Sequence, residues 1–166
     1  MKKVLLIGGA GFIGFNIAKY LSKNRNYVLT IADNFFRGKM DVDFKSFVSD
    51  YNIKIINADF TDSKSFDLLD SDYDYVYFLA AVVGVKYTEE IPNELIRINS
   101  FLTLNTLEWL KNSNCKKVLF TLIPFTVFSS ITISSTFELK INSTPCRLAS
   151  SNNWRVMSYI PLSGMK

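Results

Sequence analysis

At 166 residues the chain is the size of one domain, long enough to bury about two thirds of the surface that its unfolded form exposes. An apolar fraction of 48% with 14% aromatic residues excludes a disordered polypeptide. There is no histidine, so the usual neutral-pH base and the commonest zinc ligand are missing, and the net charge of +4 comes without a basic cluster interleaved with aromatics, which leaves nucleic-acid binding without support.

The first element is a continuous apolar run, Val4-Leu5-Leu6-Ile7, as a parallel strand buried on both faces requires. Gly8 and Gly9 break that run too early for a signal peptide. The segment Gly8-Gly9-Ala10-Gly11-Phe12-Ile13-Gly14 fits two registers. Gly9, Gly11 and Gly14 read as G-x-G-x-x-G, whereas Gly8, Gly11 and Gly14 read as G-x-x-G-x-x-G. Ile13, Ile17 and Leu21 then repeat at helical spacing, and residues 27–32 form a second apolar strand ending at Asp33. Each part serves dinucleotide binding. Glycines let the turn tighten and let backbone N–H groups approach a pyrophosphate, and the helix that follows aims the positive end of its dipole there. Asp33 lies where a carboxylate accepts from both ribose hydroxyls of an adenosine. An acid at that position disfavours a 2′-phosphate and so favours NAD over NADP; nearby Arg37 is the counter-signal.

After a loop at residues 34–39 comes a weak helical stretch at 42–48, then a third strand at 52–57 that ends near Asp59. Thr61 or Asp62 caps a short helix through Leu69. A fourth strand spans 74–79, with Ala80 and Ala81 beyond its carboxyl end. Ile91, Leu95, Ile98, Leu102 and Trp109 mark one face of a long helix that Pro92 begins, and residues 117–121 form a fifth strand. This alternation predicts an α/β fold, a Rossmann-like doubly wound parallel sheet with helices on both faces.

The texture changes at residue 122. Residues 1–121 carry 15 basic and 14 acidic side chains, whereas residues 122–166 carry four basic and one acidic, with nine serines and four threonines. Strand-like patches at 125–128, 131–133 and 137–141 replace the β/α alternation. Two units are therefore expected: a dinucleotide-binding domain at 1–121 and an irregular or β-rich tail at 122–166 that is no independent domain. With no helix following the fifth strand, Val118, Phe120 and Leu122 are expected to be partly exposed unless the tail covers them. Residues 118–137 hold no charge, but Pro124 and the many hydroxyls favour a core strand running into an irregular tail over a membrane anchor. The cysteines, Cys115 and Cys146, stand at no metal or redox spacing, and a reduced cytoplasmic compartment is the default.

Residues 1–121 resemble the extended short-chain dehydrogenase/reductases, in particular the NAD-dependent nucleotide-sugar epimerase/dehydratase family. Gly8 to Gly14 looks like that family's T-G-G-A-G-F-I-G, with Ile7 in place of the threonine. Asp33-Asn34 looks like its D-N pair, Asn57-Ala58-Asp59-Phe60 like its G-D-[IL] segment, and Phe78-Leu79-Ala80-Ala81 like its H-L-A-A. Asn99 sits where the family has V-N-x-x-G-T-x-N.

The resemblance implies NAD held by Gly8, Gly11, Phe12, Ile13, Gly14, Asp33, Asn34, Asp59, Phe60, Leu79, Ala80, Ala81 and Asn99. Two readings stand for Asp59, a cofactor contact or a cap of the next helix; Asn99 is either a backbone tether beside the cofactor or an ordinary polar helix position. Residues 82–86 are a loop that borders the sugar in the resembled enzymes, or simply a mobile loop. A nucleotide sugar is the substrate of a full-length relative; such relatives pair through two helices each, of which this chain has the one at 91–110, so that helix is the candidate surface for a homo-oligomer. In such enzymes a Ser/Thr after the fifth strand and a Tyr-x-x-x-Lys pair carry the chemistry. Here Leu122-Ile123-Pro124-Phe125 replaces the serine run, and none of the eight tyrosines has lysine four positions on. No catalytic residue is therefore assigned. The break is the composition expected of a gene read out of frame past codon 121, or of a truncated product; a genuine short protein, acting as a stand-alone dinucleotide sensor or interaction module, is the alternative.

Overall fold

The computed structural model describes residues 1–121 and the strand at residues 136–140. The elements in chain order are β1 (Lys2–Ile7), α1 (Phe12–Ser22), β2 (Tyr27–Asp33), α2 (Val42–Asp50), β3 (Lys54–Asn57), a 3-10 turn (Ser63–Leu68), β4 (Tyr75–Phe78), α3 (Val85–Glu90), α4 (Pro92–Lys111), β5 (Lys117–Thr121) and β6 (Thr136–Lys140). They form one sheet in the order β3-β2-β1-β4-β5-β6. The first five strands pair in parallel, and β6 lies antiparallel to β5.

β1 is central, hydrogen-bonded to β2 and β4, which is why its side chains have no polar alternation. Val4 to Ile7 are all 1% exposed or less. Leu5 and Ile7 enter a core with Val76, Phe78, Val118 and Phe120, closed by Leu102 and Leu110 of α4. Val4 and Leu6 enter the opposite core with Leu29 and Ile31, closed by Ala18 and Leu21 of α1 and by Phe44 and Phe47 of α2. At the amino-terminal end of the sheet Asp74 ties three strands. Its carboxylate accepts from the Lys3 amide at 2.8 Å and pairs with Lys116, and its own amide donates to the Lys3 carbonyl.

Several expectations are corrected. The buried face of α1 is Gly14, Ala18 and Leu21, while Ile13 is exposed. Gly14 is in van der Waals contact with the Gly8–Gly9 backbone, so the helix approaches too closely there for isoleucine to face inward. On α4 Leu102 is buried and Ile98 and Trp109 pack against the core as expected, but Thr106 and Leu110 complete the buried line and Ile91 is exposed. Thr106 is tolerated there because its hydroxyl donates to the Leu102 carbonyl at 2.7 Å. Residues 82–86 do not stay a loop throughout, because α3 begins at Val85. Asp62, not Thr61, caps the short 3-10 turn, accepting from the Lys64 amide. Val118 and Phe120 are buried, since α4, which precedes β5, already covers their face. Leu122 and the patches at 125–128 and 131–133 lie outside the described residues, whereas 137–141 overlaps β6.

Candidate dinucleotide site

The carboxyl ends of β1 to β4 open on one edge of the sheet, and the residues expected to bind a cofactor lie there or on the helix that reaches them. The turn after β1 is held by close contacts at Gly8, Gly9 and Gly14; a Cβ on Gly9 would stand 2.8 Å from Leu6 Cβ. Gly8 has φ +81°, and a Cβ on it would stand 2.5 Å from the Ala80 nitrogen, so this turn packs directly on the end of β4. A Cβ on Gly14 would stand 2.5 Å from the Gly9 Cα. Gly11 differs. It has an ordinary φ of −71°, and a Cβ there would meet only the Gly8 carbonyl oxygen, at 3.5 Å. Gly11 thus faces open space, and packing within the protein does not exclude a side chain there.

Gly11 is also the N-cap of α1, which has no side-chain cap and no acid in its first turn. The first N–H groups of that helix, at Phe12 and Ile13, are left for a ligand, and the dipole makes an anion the favoured one. Both side chains are exposed beside them.

Asp33 ends β2 and is 9% exposed as a residue. Oδ2 accepts from the Ala10 amide at 2.9 Å, and Oδ1 from the Phe35 amide at 2.8 Å. One carboxylate therefore holds the glycine turn and the loop after β2 together. Each oxygen keeps a second lone pair, so acceptance from ribose hydroxyls remains open to it. Asn34 is exposed and accepts from the Phe36 amide at 3.1 Å.

The residues from β3 behave differently. Asp59 Oδ1 accepts from both the amide and the hydroxyl of Thr61, at 2.9 and 2.8 Å, which is the turn-capping arrangement. The Phe60 ring is buried against Phe66, at 4.9 Å between centroids, so its side chain belongs to the core and only its backbone faces the loop. Past β4, Leu79 and Ala80 are half-buried, with the Leu79 amide donating to the Ile7 carbonyl. Ala81 is half-buried beside them.

Asn99 clasps Val82 with two hydrogen bonds: its Nδ2 donates to the Val82 carbonyl and its Oδ1 accepts from the Val82 amide, both at 2.9 Å. The tether reading of this residue is the one the geometry fits. Sequence reasoning missed its counterpart Asn105, whose Nδ2 donates to the Phe60 and Thr61 carbonyls at 3.3 and 2.8 Å. α4 thus holds the loops after β3 and β4 with two asparagines on one side; the repeated Asn was the available signal. Gly38 was missed as well. A Cβ there would stand 2.5 Å from the Ala10 carbonyl oxygen, so the β2–α2 loop lies directly on the glycine turn.

Burial pushes the Tyr77 phenol above its usual value and the Cys115 thiol up to about 11. Both shifts disfavour the anion that a base or nucleophile would need. The Thr121 hydroxyl donates to the Phe78 carbonyl at 2.9 Å. No helix among the described residues is long and apolar enough to cross a membrane.

Comparisons with known proteins agree with this arrangement. The chain is 40% identical over 125 residues to the UDP-N-acetyl-alpha-D-glucosaminuronate decarboxylase of Bacillus cytotoxicus, covering 72% of this chain and 36% of that protein. It is 29% identical over 117 residues to UDP-glucuronic acid decarboxylase 6 of Arabidopsis thaliana, covering 70% of this chain and 32% of that one. Among solved structures, the UDP-glucose 4-epimerase of Bifidobacterium longum in complex with NAD+ and UDP superposes with a TM-score of 0.62 at 26% identity, covering 72% of this chain and 36% of that one. The chain thus spans about a third of the length of the relatives it matches. The family model for the NAD dependent epimerase/dehydratase family matches residues 4–122, and the chain belongs to that family.

Proposed function

We propose that residues 1–121 bind NAD as the cofactor-binding portion of a nucleotide-sugar epimerase, dehydratase or decarboxylase, and that this chain by itself does not catalyse the sugar reaction. The observation that carries the reading is the glycine turn. Gly8 and Gly14 are demanded by packing, but Gly11 is demanded by nothing in the protein and opens onto uncapped helix amides. A pyrophosphate supplies the missing reason. Asp33 favours NAD over NADP, since its carboxylate would repel a 2′-phosphate. When bound, NAD would accept a hydride from a sugar carbon; Gly11, Phe12 and Ile13 would hold its phosphates and Asp33 its ribose.

The catalytic half of the reading rests on what the chain offers as a base. No tyrosine has lysine four residues on, and the phenol of the half-buried Tyr77 is shifted up, away from the anion a base needs. Residues 122–166 form the divergent tail, an appendage of the domain and not a second one. The exposed Ile96, Phe101 and Leu104 on α4 support self-association through that helix.

The test is calorimetric titration of the 166-residue chain with NAD and NADP, followed by assay against UDP-, GDP- and dTDP-sugars. Binding of NAD with weaker binding of NADP and no turnover is expected. Equal affinity for both cofactors overturns the Asp33 assignment. Turnover that disappears in Tyr159→Phe overturns the assignment of no catalysis.

A further inference from the structure

The sheet order places β1 between β2 and β4, so any contact between the loops leaving β2 and β4 passes over the glycine turn that leaves β1. Two such contacts exist. Arg37 of the β2–α2 loop donates from Nη1 to the Val83 carbonyl oxygen at 2.8 Å. The Phe36 ring meets that of Tyr87 at 6.2 Å between centroids. Each loop is anchored at its root, the first where Gly38 lies on Ala10, the second where Asn99 clasps Val82. Gly84, next to the bonded Val83, has φ 128° and ψ 146°, a conformation that side-chain-bearing residues rarely adopt. That conformation turns the chain from the Val83 carbonyl into α3. Arg37 itself is exposed.

We infer that Arg37 is a positioning residue: its bond to the Val83 carbonyl latches the β2–α2 loop to the β4–α3 loop across the glycine turn, and the latch opens each time a dinucleotide enters or leaves. The inference rests on the dinucleotide reading above. The bond spans the glycine turn, so a latch there opposes entry as well as exit, and removing it changes rates more than affinity.

Stopped-flow NADH fluorescence on the 166-residue chain, with Arg37→Ala and Arg37→Lys, tests this. Loss of one hydrogen bond is expected to raise the association and dissociation rates of Arg37→Ala together by about three- to tenfold, with Kd within about twofold of the unsubstituted chain. Arg37→Lys, which keeps one donor, is expected to fall between the two. Without cofactor, the amides of residues 83–86 should exchange faster in Arg37→Ala while the melting temperature holds. Unchanged rates overturn the latch. A faster dissociation alone, with weakened Kd, also overturns it and makes Arg37 a contact of the dinucleotide. Absence of any NADH signal from the unsubstituted chain overturns the dinucleotide reading and the latch together, whereas normal NADH binding with unchanged rates in Arg37→Ala overturns the latch only.

Discussion

Substituting the glycines one at a time separates what the fold needs from what the ligand needs. Gly8→Ala forces a left-handed backbone on a residue with Cβ, at about 1–2 kcal/mol. The new methyl would also stand 2.5 Å from the Ala80 nitrogen and 2.6 Å from its Cα. That neighbour is backbone, held by the Leu79 amide to the Ile7 carbonyl, and cannot rotate away. Relieving such an overlap costs about a further 1–3 kcal/mol. The total, about 2–5 kcal/mol, is a large share of the roughly 5–15 kcal/mol that a domain has. At roughly 2–4 °C per kcal/mol for a chain of this size, the melting temperature should fall by about 4–20 °C. Gly11→Val meets neither obstacle, since its φ is −71° and its nearest neighbour is the Gly8 carbonyl oxygen at 3.5 Å. Its cost to the fold should stay within about 1 kcal/mol, the weaker N-cap preference of valine. Its effect should appear instead with cofactor present. Saturation at a hundred times Kd stabilises the native state by about 2.7 kcal/mol, and Gly11→Val should remove that gain. Thermal melts with and without NAD measure both numbers. A Gly8→Ala protein melting within about 2 °C of the unsubstituted chain would refute the packing argument, and a Gly11→Val protein that keeps its NAD shift would refute the assignment of the open space to pyrophosphate.

Three further outcomes are expected. Gly38→Ala should weaken NAD binding by lifting the β2–α2 loop off Ala10, with a much smaller change in melting temperature than Gly8→Ala, as titration and melting would show. Asn99→Ala leaves the half-buried amide and carbonyl of Val82 without their partners and should destabilise by about 1–3 kcal/mol, with faster amide exchange at Val82. The Lys116 ammonium and then the Lys3 amide hold the Asp74 carboxyl below its usual range. A depressed folded-state value gives stability that is present above the unfolded value near 4 and is lost as pH falls through the folded one. Denaturant melts should therefore weaken below about pH 4, and Asp74→Asn should be less stable at pH 7 and flatter with pH; an unaltered acid slope would remove Asp74 from this role.

Local chemistry was legible from the residues alone. The uninterrupted apolar run of β1 reported a strand buried on both faces, and the sheet surrounds it. Pro92 marked the first turn of α4, and the acid after β2 lies beside the glycine turn, because strand length and turn chemistry are set within a few residues of sequence. Which face a helix buries was legible only in part. Leu21 is buried and Ile17 packs against the core as their spacing implied, but side-chain size also put Ile13 on the inner face of α1, where the close approach of helix and sheet decided for Gly14 and Ala18. Thr106 is buried on α4 because its hydroxyl has a partner within the helix, which a scale of hydrophobicity does not record. The roles of Gly38, Asn105 and Arg37 likewise came only from tertiary structure. Each acts on a residue between 28 and 46 positions away, Gly38 on Ala10, Asn105 on Thr61 and Arg37 on Val83, and sheet order, not sequence spacing, brings those loops together.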